Sequence, residues 1–177
     1  MSINDFFESN FDFSPTVVEY RELEGKLEVK IKLNEVISYT DFYLLNQKTR
    51  DFLESSGATG NIELVFTYSS YAKLSEHFLS YLQALLKNFK TNDPVNKRFL
   101  EIILKSQCKV YELDKKVDII VDINTLNWAI KQELSKILFS SFSNYFGLPF
   151  IFNFKKRMSE QISFELKTQS ENIQTGS

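Results

Sequence analysis

Lys26-Leu27-Glu28-Val29-Lys30-Ile31-Lys32-Leu33 decides the fold: Leu27, Val29, Ile31 and Leu33 alternate with Lys26, Glu28, Lys30 and Lys32. A period of two sends the two sets to opposite faces of a strand, so one face meets a core and the other meets water. Residues 17–23 form a second extended run, and Glu24-Gly25 between the two reads as the tight turn of a hairpin. Downstream, Thr40-Asp41 offers an N-cap for a helix in which Phe42, Leu45, Thr49, Phe52 and Leu53 recur at helical spacing. Gly57 supplies the C-terminal stop. Ile62, Leu64, Phe66 and Tyr68 then alternate as a third strand.

The same two periods carry the reading onward. Leu74, Phe78, Tyr81, Leu82, Leu85 and Phe89 make the apolar stripe of a long amphipathic helix. Asp93-Pro94 starts a shorter helix carrying Phe99, Leu100, Ile103 and Leu104. Residues 110–113 and 117–122, joined across Asp114-Lys115, read as a second hairpin. Asn124 then caps one long helix carrying Leu126, Ile130, Leu134, Ile137, Leu138, Phe142 and Tyr145, which Gly147 and Pro149 end, and residues 150–154 form a last strand. The order ββαβααββαβ predicts an α+β fold, with a mixed or antiparallel sheet and helices packed on it. Residues 1–14, closed by Ser14-Pro15, are expected to be a flexible N-terminal arm, 15–157 a single α+β domain, and 158–177 a fraying helix or linker. The halves share a strand-strand-helix-strand outline without a residue-level repeat.

Composition bounds the function. The chain has 177 residues, 43% of them hydrophobic, which suits one domain with a real core. Lys+Arg 21 against Asp+Glu 23 leaves a net charge of -2, so any nucleic-acid contact must come from a local patch. One Cys and one His rule out an internal disulfide and a Cys/His structural zinc site. The first residues lack a basic and apolar leader, and no run of about 18 apolar residues occurs, so the expectation is a cytoplasmic protein with no membrane span.

No residue pattern carries catalysis, and no catalytic, cofactor or metal-binding residue is expected. His77 has no nucleophile near it in sequence, Cys108 reads as a small filler, and Trp128 as core or interface. Asp118 and Asp122 share a strand face, yet without a third acid they read as solvated. Gly57-Ala58-Thr59-Gly60 spells the GxxG used by KH domains to clamp nucleic acid, but it joins a helix to a strand and so reads as a C-cap and turn. Two features point to partners. Surplus aromatics, Phe6, Phe7, Phe11 and Phe13 in the arm with Tyr145 and Phe146 at the end of the last helix, are candidate protein anchors. The basic residues Lys115, Lys116, Lys155, Lys156 and Arg157 are candidates for single-stranded DNA, with weak, salt-dependent binding of about 10⁻⁴–10⁻⁶ M, if strand order brings them to one sheet edge.

Residues 26–37 followed by Asp41-Phe42-Tyr43-Leu44-Leu45, and residues 104–110 followed by the strand 117–122 and the helix through Leu138-Phe139-Ser140-Ser141-Phe142 to Tyr145-Phe146-Gly147-Leu148-Pro149, resemble the N-terminal region of the PolC family. That family comprises the replicative DNA polymerase III alpha subunits of Gram-positive bacteria and mollicutes. The resemblance spans about residues 16–156 and rests on patterned blocks, without a catalytic signature. It implies a KH-like α+β module that precedes the polymerase's OB and catalytic parts. The function implied is non-catalytic docking to a replisome protein such as the clamp-loader tau subunit. The alternative is a stand-alone single-stranded nucleic-acid-binding module.

Overall fold

Alternation in Lys26–Leu33 does build the central strand of a sheet. The computed structural model describes residues 1–88 and 94–158; the expectations at Phe89, Asp93 and residues 159–177, and for the side chains of Phe99 and Leu100, lie outside it. β1 (Thr16–Leu23) pairs antiparallel with β2 (Lys26–Leu33), and β2 pairs parallel with β3 (Asn61–Tyr68). Between them runs α2 (Tyr39–Ser55); α1 (Ile3–Asn10) precedes β1. The second half repeats this plan: β4 (Gln107–Tyr111) is antiparallel to β5 (Lys116–Val121), which is parallel to β6 (Ile151–Lys156). α3 (Leu74–Asn88) and α4 (Pro94–Lys105) link the halves, while α5 (Ile123–Lys131), α6 (Leu134–Ser141) and a π-helical turn η1 (Phe142–Phe146) lie between β5 and β6. The fold is α+β, with two three-stranded mixed sheets in the orders β1-β2-β3 and β4-β5-β6.

Local chemistry explains several departures from expectation. The arm expected over residues 1–14 holds α1, because Ser2 and Asp5 close a reciprocal capping box and Phe7 is fully buried. α2 is capped by Ser38, whose Oγ accepts the Asp41 N–H at 3.2 Å, and not by Thr40. α5 is likewise capped by Asp122, whose Oδ1 accepts the Thr125 N–H at 2.7 Å, and not by Asn124. The single long helix expected after β5 is broken at Glu133, which stands in the left-handed region at φ 53. A continuous helix would carry the buried stripe begun at Thr125 and Ala129 onto Gln132, Glu133 and Lys136. The break resets the phase so that Leu134, Leu138 and Phe142 face inward. The wider π turn then keeps Phe142 and Phe146 both inside, with their rings 5.2 Å apart.

One continuous apolar cluster joins the halves: Val29, Ile31 and Phe66 from the first sheet, Val117, Ile119 and Phe152 from the second, and Phe78, Tyr81 and Phe142 from the helices. Two tyrosine hydroxyls within it are satisfied. Tyr81 donates to the Ile37 carbonyl at 2.9 Å, and Tyr68 donates to the Phe146 carbonyl at 2.8 Å. Gly147, at φ +69, passes so close to β3 that a Cβ there would overlap the Phe66 carbonyl.

Candidate functional site

Folding of α1 turns loose aromatics into a wall. Phe6 stacks on Phe52 of α2 with ring centroids 4.5 Å apart, while Phe11 and Phe13 follow the helix with their rings 5.3 Å apart and stay partly exposed. Opposite them, Asp41, Leu44 and Lys48 occupy one face of α2, since residues three, four and seven apart align on a helix. The space between is a groove of about 490 Å³, rimmed by Glu8, Asp12 and Asp41. Leu44 is 40% exposed, and the Lys48 ammonium lies 5.8 Å from the centre of the Phe11 ring.

Of the aromatic candidates, then, Phe11 and Phe13 line a groove and Phe6 buttresses it. Phe7 and Phe146 are corrected to core residues, because both pack out of reach of any partner. Tyr145 is 62% exposed but is not among the residues that line the groove.

The basic candidates do not gather into one patch. β5 and β6 are parallel, with Lys116 opposite Ile151 and Lys155 opposite Ile120, so Lys116 and Lys155 are four residues, or about 13 Å, apart along the strands. Lys115 sits over the Tyr71 ring at 5.5 Å and Lys116 over the Tyr111 ring at 4.8 Å. Lys156 and Arg157 are exposed at the opposite end of β6, where Arg157 lies beside Asp122. Register does, however, bring Lys109, Tyr111, Lys116, Ile151 and Lys155 onto the one outward face of the second sheet. Lys109 and Tyr111 escaped the sequence reading, although their alternation with Cys108 and Val110 carries the signal.

At the centre of that face lies Asp118, expected to be solvated and found 3% exposed. Its Oδ2 pairs with the Lys155 ammonium at 2.9 Å, which raises the Lys155 pKa above its ordinary value, and its Oδ1 has no hydrogen-bond partner. Asp122 serves the α5 cap instead, and the hydrogen bond from the Thr125 N–H holds its carboxyl below the usual range. The two acids therefore do different structural jobs. Among the described residues, no group of three or more His, Cys, Asp or Glu side chains is placed to hold a metal ion. His77 is half-buried on α3, and burial pushes the Cys108 thiol up to about 11, away from reactive thiolate character.

The GxxG is a turn. The Ala58 N–H reaches the Leu53 carbonyl and the Gly57 N–H the Glu54 carbonyl, which closes α2 in a Schellman motif with Gly57 at φ +95. Gly60 then packs on the Gly25 carbonyl of the β1–β2 turn. The outward face of the first sheet is a ladder of paired charges in which Arg21 meets Glu19 and Glu28, Lys26 meets Glu28 and Glu63, and Lys30 meets Glu19.

Among the described residues, no helix is long and apolar enough to cross a membrane. No family model matches the chain, and neither the curated proteins nor the solved structures give a match.

Proposed function

We propose that the chain is a non-catalytic protein-docking module that works in the cytoplasm as part of a replication assembly. The observation that carries the docking role is the groove between α1 and α2. It offers exposed aromatic and aliphatic surface, Phe11, Phe13 and Leu44, on a rigid helical base with a polar rim, the composition that interface hot spots favour. The assembly is suggested by the PolC-like blocks alone, and it makes the clamp-loader tau subunit the first partner to test. Titrating the chain with purified tau subunit, read by light scattering and calorimetry, is expected to give a one-to-one complex. Leu44→Ala and Phe13→Ala are each expected to weaken it at least tenfold. Failure of tau to bind removes the replisome assignment, and binding indifferent to both substitutions removes the groove. On the same reading the chain extends no primed template with nucleotides and magnesium.

A second reading, contact with single-stranded nucleic acid, is favoured by one observation: Lys109, Lys116 and Lys155 share the outward face of the second sheet with Tyr111. With Asp118 neutralising one of these charges, binding is expected to be weak and steeply salt-dependent. Oligothymidylate titrated at two salt concentrations tests it, and tight binding that barely weakens with salt contradicts it.

A further inference from the structure

The charges around the α1–α2 groove differ from those elsewhere on the surface. On the outward face of the first sheet each acid has a basic neighbour within 4 Å, whereas among the described residues no ion pair involves Glu8, Asp12 or Asp41. The last turn of α1 has no basic residue, so the negative end of its dipole, at Ser9 and Asn10, also borders the groove. Lys48, the one cation among the described residues that line the groove, lies over the ring of Phe11, and the neighbouring Phe13 ring is partly exposed. The apolar contact offered between these charges is Leu44.

We infer that the groove takes a cationic segment of its protein partner, in which Lys or Arg side chains pair with Glu8, Asp12 and Asp41 while an apolar side chain seats against Leu44 and Phe13. This rests on the docking reading above and adds the chemistry of the occupant. A phosphate backbone is repelled by the same acids. A second copy of this chain carries a net charge of -2 and so offers no overall attraction, and docking through its Lys109, Lys116 and Lys155 face is an outcome that the test separates.

The test uses the full chain, isotope-labelled, with a fluorescent amphipathic helical peptide of Lys and Leu and a matched peptide in which every Lys is replaced by Glu. The Lys/Leu peptide is expected to bind at least tenfold tighter than the Glu/Leu peptide. It should shift amides at residues 8–13 and 41–48 and weaken as salt rises. Glu8→Lys combined with Asp12→Lys, both at exposed positions, should abolish the preference without lowering the melting temperature. Equal binding of the two peptides, or Lys/Leu binding untouched by the double variant, overturns the inference. So does occupation of the groove amides by a second copy, seen as a mass that rises with concentration. Failure of either peptide to reach those amides while tau still needs Leu44 leaves docking intact and removes the cationic occupant. Acid-dependent peptide binding without tau binding does the reverse.

Discussion

Gly147 shows how much can hang on one missing side chain. Its backbone stands at φ +69, and the space a Cβ would fill is taken by the Phe66 carbonyl, so the end of η1 can approach β3 only with glycine there. Gly147→Ala combines left-handed strain with a backbone clash and is expected to cost roughly 3 kcal/mol, read as a lower midpoint in urea unfolding. A change under about 0.5 kcal/mol would show that the approach is not as close as described. Glycine as a helix stop at this position is legible in the sequence. The close approach is not, because it depends on a strand far away in the chain. Asp118 makes the complementary point: alternation correctly gives it an outward position, but Lys155 reaching back across the sheet buries it.

At the scale of elements, period alone located the strands and the hairpins, since half-buried strands must alternate, but not every boundary: β4 runs over Gln107–Tyr111, beginning three residues before the expected 110–113, and β6 runs on to Lys156. Helix boundaries slipped where a better cap stood two residues upstream, Ser38 before Thr40 and Asp122 before Asn124. Helix α1 was missed although Ser2 and Asp5 have capping-box spacing, and with it the groove: Asp41, Leu44 and Lys48 align on α2, but their partners exist only once α1 folds. Phe7 ties that helix down, so Phe7→Ala is expected to lose about 3–5 kcal/mol and to free the α1 amides to exchange with solvent. Protection of α1 unchanged by the substitution would contradict its docking through Phe7. The α5 cap gives a pH signature. Hydrogen bonding lowers the Asp122 pKa in the folded state below its ordinary 3.8, so the cap stabilises fully above that value and its contribution is lost as pH falls through the lowered one. Asp122→Asn keeps a capping side chain without the charge. Acid titration should therefore show the wild type losing more stability than the variant below about pH 4, and parallel acid limbs would exclude the effect.

Over the whole molecule, two halves of identical strand order share one core, and each turns a sheet face outward. The first face is neutralised by its own ion pairs, and the second gathers lysines about one buried acid. Neither strand order nor register could be read from the sequence, which is why the basic clusters, adjacent only in hypothesis, end up at opposite ends of β5 and β6. The aromatic surplus proved divided between core and groove, because Phe7 and Phe146 fill the interior while Phe11 and Phe13 border open space. What distinguishes the α1–α2 groove is the coincidence of exposed apolar surface and unpaired charge, and protein docking there is the central claim. A photo-crosslinking benzoylphenylalanine placed in turn at Leu44, Tyr145 and Ile151, all exposed, tests it most directly in cells that make the chain. The account predicts a discrete adduct with a replication protein from position 44 and none from positions 145 or 151. Adducts from 145 or 151 with position 44 silent would contradict it.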